Sequence, residues 1–110
     1  MTSDNEIYQS IGEILLAIAP ENATVVYLDA QVSPEGDHGK MLFDYDIEGG
    51  DTQWFTPESG RVSRDLLLQL VKLRAFFAQN NLFEQGKPWR GCRIKLDLRT
   101  AKFSADFRYD

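Results

Sequence analysis

Asp44, Asp46, Glu48 and Asp51 form the densest run of chemically capable side chains in this 110-residue chain. Carboxylates gathered in a pocket can divide general acid and base work, and several converging oxygens can hold a divalent cation. Alternate positions on a strand instead place Asp44 and Asp46 on one solvated face, which suits a basic partner better than an ion. Asp37-His38, in the loop Ser33 to Lys40, is a weaker metal candidate, because the chain offers no second histidine and one cysteine. Cys92 alternates with Ile94, Leu96 and Leu98, the setting of a small buried side chain and not of a nucleophile. The glycines of Gly36-Asp37-His38-Gly39-Lys40 lack the strand-loop-helix setting of a phosphate cradle, and G-x-G-x-x-G, a Walker-type loop, C-x-x-C and H-E-x-x-H are missing. No catalytic residue, metal or cofactor is assigned, and the chain reads as a non-enzyme.

The elements that must position those carboxylates follow from periodicity. Met41, Phe43, Tyr45 and Ile47 alternate with Leu42, Asp44, Asp46 and Glu48, giving a strand with an apolar face and a largely acidic one. Gly49-Gly50 predicts a two-residue hairpin that sets Tyr45 opposite Trp54, Ile47 opposite Thr52 and Glu48 opposite Asp51. Like charges facing each other across a ladder are destabilising, so this tip is either a patch kept for a basic partner or simply a well-solvated end. Ala23 to Val32 is another strand, with Val26, Leu28, Ala30 and Val32 on one side and Tyr27, Asp29 and Gln31 on the other. Trp54 and Tyr27 are candidate aromatic anchors if they face outward.

Ser63 to Asn81 carries Leu66, Leu70, Leu73 and Phe77 at helical spacing, widened by Leu67, Val71 and Phe76, with Gln69, Lys72, Arg74 and Gln79 opposite. Ser63 is the expected N-cap, and Asn80-Asn81 the expected left-handed end. Upstream, Ser3 to Glu6 has the form of a capping box, and Ile7, Ile11, Ile14, Leu15 and Ile18 mark a shorter helix closed by Pro20. Gly12 within it suggests a close helix contact. Leu82, Phe83 and Trp89 are expected against the core. Cys92 to Leu98 and Phe103 to Tyr109 alternate as a final hairpin, with Leu98 expected opposite Phe103, Lys95 opposite Asp106, and a connection from Arg99 to Lys102. The order α-β-β-β-α-β-β predicts an α+β fold: an N-terminal helix, an antiparallel sheet, one long core helix and a C-terminal β-hairpin.

Length and composition fit one domain over residues 1–110. The start lacks a secretory signal, no apolar run is long enough to span a bilayer, and the lone cysteine agrees with a reducing compartment, so a cytoplasmic protein is expected. The net charge of −5 conceals −11 in residues 1–60 and +6 in residues 61–110. An acidic half favours a cationic protein over nucleic acid as its partner; alternatively the halves interleave and offset each other. A small ligand binder or enzyme with a pocket between helix and sheet is the competing class, and it needs inward-pointing polar groups.

Tyr8-Gln9 with Ile11-Gly12, the Pro20-to-Val32 junction, and Lys102-Phe103 followed by Asp106-Phe107 and Tyr109-Asp110 carry a resemblance over about Ile7 to Asp110. In these segments the chain resembles the YezG-like antitoxin family of bacterial immunity proteins. The resemblance implies a non-enzymatic α+β protein that binds and neutralises the C-terminal domain of a cognate toxin, commonly of nuclease type, delivered between competing bacteria. It departs from the pattern in lacking a glycine at the final turn, and it supplies no fixed contact residues. Asp29, Asp44, Asp46, Glu48, Asp51 and Trp54 are therefore taken on physical grounds as the surface for a basic toxin, with no direct nucleic acid and no membrane as partner.

Overall fold

In the computed structural model, which describes residues 4–109, the amphipathic segments lie as two helices on one face of a five-stranded antiparallel sheet. Helix α1 (Asp4–Ile18) buries Ile7, Ile11 and Leu15, which recur every four residues. Asp4 and Glu6 suit the positive end of its dipole, while Ser3 of the expected capping box falls outside the described residues. Helix α2 (Gly60–Gln79) buries Leu66, Leu70 and Leu73, with Leu67, Val71, Phe76 and Phe77 packed partly against the same core. Strands β1 (Ala23–Val32), β2 (Gly39–Ile47), β3 (Gln53–Phe55), β4 (Gly91–Asp97) and β5 (Lys102–Arg108) stand in the order β3-β2-β1-β4-β5. Val26, Leu28, Ala30, Phe43, Cys92 and Ile94 turn toward the helices, so the α+β class and the broad element order agree with the sequence pattern. In the connection from α2 to β4, Trp89 is fully buried, with its ring 4.9 Å from Phe107 and 6.0 Å from Phe77. Leu82, expected beside it, is instead exposed.

Three further local expectations are corrected. Ser59, not Ser63, caps α2: its hydroxyl accepts from the Arg61 amide at 3.1 Å, and the helix starts a turn earlier. Arg74, expected on the solvent side, is half-buried and donates to the carbonyls of Ser33 at 2.7 Å and Trp89 at 3.3 Å, pinning two connections to α2. Gly12 lies under the ring of Phe103 and not against a helix; a Cβ there would sit at an ordinary 3.8 Å. At the other end of α2 the expectation holds, because Asn81 takes φ +54° and the Leu82 amide returns to the Phe77 carbonyl at 2.9 Å.

Both hairpin registers also differ. Tyr45 stands opposite Gln53 and Asp44 opposite Trp54, a one-residue slip from the Gly-Gly turn pattern. The slip brings Phe55 to the core side, 5.7 Å from Phe43 and 5.5 Å from Tyr45 between ring centroids, and turns Trp54 outward. Gly49 still takes φ +72°, but the connection runs from Glu48 to Thr52, so Glu48 and Asp51 no longer face each other across a ladder. In the last hairpin Leu96, not Leu98, meets Phe103, and Arg93, not Lys95, meets Asp106. The Asp97 carboxylate accepts the amides of Arg99 at 2.9 Å and Thr100 at 3.3 Å, which fixes the turn at Leu98 to Ala101. A two-residue slip keeps every side chain on its face, which is why alternation alone does not detect it. Ala101 holds φ +59°, the left-handed position that glycine would occupy with about 1 kcal/mol less strain.

Candidate functional site

Because both helices share one face, the other face of the sheet is left to its own side chains. One cross-strand row sets Trp54, Asp44, Tyr27, Lys95 and Ser104 side by side, and the next sets Leu42, Asp29, Arg93 and Asp106. Arg108 Nη2 lies 2.7 Å from Asp29 Oδ1 and 3.1 Å from the Ala30 carbonyl. Arg93 reaches Asp29 at 3.6 Å and Asp44 at 3.8 Å, with its guanidinium carbon 4.8 Å from the centre of the Tyr27 ring. The acidic and basic halves of the chain thus interleave where β1 pairs with β4, and Asp29 and Asp44 are bridged internally.

Asp46 is held by hydroxyls. Tyr27 Oη donates to Oδ2 at 2.7 Å and the Thr52 hydroxyl donates to Oδ1. The Thr52 bond, then the Tyr27 bond, holds the Asp46 carboxyl below the usual carboxylate range, while the same carboxylate raises the Tyr27 phenol. A depressed Asp46 stabilises the fold above the ordinary carboxylate pKa and loses that contribution as pH falls; a raised Tyr27 contributes below the ordinary phenol pKa and loses it as pH climbs. Tyr27→Phe is therefore expected to cost about 1 kcal/mol near neutrality, and the difference from the parent should shrink below roughly pH 4 and above roughly pH 10. Denaturant titrations of both proteins across that range check it, and a difference that stays constant with pH would count against the bond.

Of the six residues expected at a partner surface, Asp29, Asp44 and Trp54 share one recess of 540 Å³ at the β2–β3 edge, lined from the open face by Leu42 and Arg93 and from the helix side by Ser59, Gly60 and Ser63. Asp46 lies on the same face farther along β2, and Glu48 and Asp51 sit exposed on the connection that follows. Trp54 is 79% exposed and Leu42 54%. Leu42, Arg93 and Arg108 were missed by sequence reasoning. Alternation did put Leu42 and Arg93 outward, but their places on either side of Asp29 depend on β1 pairing with β2 and with β4, which no local pattern reveals.

The recess also exposes backbone. The Val32 amide donates to Arg90 and the Ser33 amide to His38, so even-numbered residues of β1 turn to β4 and odd-numbered ones to β2. By the same alternation Lys40, Leu42 and Asp44 turn back to β1, leaving Met41, Phe43 and Tyr45 toward β3. Since β3 meets only Phe43 to Tyr45, the polar groups of Met41 are left at an open edge beside Trp54.

Elsewhere the chemistry is spare. The Cys92 thiol is fully buried, and that burial pushes it up to about 12. His38 Nδ1 sits 2.9 Å from Asp37 Oδ1 on an exposed loop, and among the described residues no group of three or more His, Cys, Asp or Glu side chains is placed to hold a metal ion. A groove of 680 Å³ between α1 and β5 is largely apolar, and of its two carboxylates Asp97 is committed to the turn amides. No helix among the described residues is long and apolar enough to cross a membrane.

A search of curated proteins returns no match. The family model described as "Immunity protein YezG-like" matches residues 5–110, a span that contains both helices beyond Asp4, all five strands and the whole uncovered face. The chain therefore belongs to the YezG-like immunity protein family, whose general role is that of an immunity protein or antitoxin.

Proposed function

We propose that this chain neutralises a cognate toxin domain of nuclease type by docking the uncovered face of its sheet, with the acidic β2–β3 connection at its margin, onto a basic surface of the toxin. The observation that carries the reading is an exposed Trp54 and Leu42 on a face without a helix, beside an exposed Glu48 and Asp51. Aromatic side chains at the centre of a charged rim are the usual anchors of a protein interface. A domain that binds nucleic acid needs a cationic cleft, and an acidic partner reaches such a cleft by electrostatically accelerated encounter. Because arginines bridge Asp29 and Asp44 and hydroxyls cover Asp46, the most exposed charges available for long-range attraction are those of Glu48 and Asp51.

The test is to change Glu48 to Gln and Asp51 to Asn together and follow association with the toxin domain at low and high salt. The expected result is an association rate lowered on the order of threefold or more at low salt, a gap that closes at high salt, and a nearly unchanged dissociation rate. Equal association rates at low salt would remove the acidic connection from the account. Failure of the unaltered chain to protect cells that express the toxin domain would remove the toxin itself.

A further inference from the structure

We propose that β5 is a dimerisation edge, taken up by β5 of a second copy of this chain around a two-fold axis at Ser104. The two ends of the sheet are treated differently. At one end β3 is three residues long, and shortness is a common guard of an edge. At the other, β5 is seven residues long, with no proline, no bulge and no inward-pointing charge. In the ladder alternation that starts from the Val32-to-Arg90 bond, odd-numbered residues of β4 turn to β5, so Lys102, Ser104, Asp106 and Arg108 complete that ladder. The amides and carbonyls of Phe103, Ala105 and Phe107 then face away from the sheet, and among the described residues no side chain or loop bonds to them.

Charge selects both the occupant and the register. Under a two-fold axis at Ser104, Phe103 exchanges backbone hydrogen bonds with Ala105 of the other copy, Ser104 meets Ser104, and Lys102 meets Asp106 twice. Moving the axis one residue, to Ala105, would set Lys102 against Arg108 twice, which is repulsive. The segment is thus complementary to itself in one register, as an interface between identical copies requires. The groove between α1 and β5 adds apolar surface at the same margin: Phe103 and Ala105 line it, and Leu16 on its rim is 61% exposed. A neighbouring β5 extends that apolar floor. This inference does not rest on the toxin reading, because it concerns the opposite end of the sheet.

Sedimentation of the full chain from low to high micromolar concentration reads the proposal directly. The expected species at the upper end has twice the 12.6 kDa chain mass. Ser104→Glu and Ser104→Lys each place like charges against each other at the axis and are expected to run as monomers, while an equimolar mixture of the two regains the dimer. Ser104→Cys is expected to cross-link under mild oxidation, whereas Asp106→Cys, which faces Lys102 of the other copy, is not. Circular dichroism confirms that each variant is folded, and Cys92 is buried and does not contribute to cross-linking. A parent chain that stays monomeric throughout overturns the proposal, as does a dimer that both Ser104 charge variants leave intact. A monomer whose Ser104→Glu variant loses toxin binding would give this edge to the toxin and likewise overturn it.

Discussion

Trp54→Ala is expected to weaken toxin binding by about 2–4 kcal/mol, roughly 30- to 1,000-fold in Kd, while leaving the fold and its stability nearly unchanged. The asymmetry follows from where the indole sits. It stands on the outer side of a three-residue edge strand, opposite Asp44, and is 79% exposed, so folding gains little from burying it. In a complex the same ring would be covered over most of its surface, with Leu42 and the recess at β3 beside it. Trp54→Phe keeps part of that contact and should lie between the parent and the alanine variant. Calorimetric titration with the toxin domain gives the affinities, and thermal unfolding of the free variants gives the control. An alanine variant that binds as tightly as the parent would move the interface away from this face.

The largest expected effect on stability lies on the other side of the sheet, at Trp89. Its ring is fully buried against Phe77 and Phe107, with Arg74 5.8 Å from the ring centre, so Trp89→Ala opens a large cavity and should cost about 3–5 kcal/mol. Trp89→Phe is the informative contrast. The indole Nε1 is buried and finds no protein acceptor within hydrogen-bond reach, so phenylalanine removes a polar group that is poorly compensated while keeping much of the aromatic contact. The phenylalanine variant is expected to lose less than half of what the alanine variant loses. Urea titrations with unchanged slopes and shifted midpoints measure both, and equal losses would mean that the indole N–H is well satisfied in the folded state.

What could be read from sequence was whatever a period can encode. The three- and four-residue spacing of Leu66, Leu70 and Leu73 identified the core stripe of α2, and two-residue alternation assigned faces to Val26 through Val32 and Cys92 through Leu96. Where a choice turned on one hydrogen bond, period was silent. The Asp97 carboxylate moved the last hairpin by two residues, and Ser59 rather than Ser63 started α2. The β2–β3 slip shows a different limit, since the Gly-Gly signal for a tight turn was strong but Phe55 joined the Phe43 and Tyr45 cluster instead. The candidate surface was half legible. Its acids were identified from alternation, but the arginines that neutralise Asp29 and Asp44 come from β4 and β5, 49 to 79 residues farther along the chain, and reach them only because β4 pairs with β1 and β5 with β4.

Cys92 gives this protein a built-in clock. A sulfur so deeply covered, and so reluctant to ionise, is out of reach of an alkylating reagent until β4 parts from its neighbours, so the rate of its labelling counts openings of the core and ignores everything at the surface. Any occupant that binds only the closed form slows that clock in proportion to its occupancy, whichever face or edge it takes. One atom, with no dye attached and no purification required, therefore records capture of a partner inside a crude cell extract.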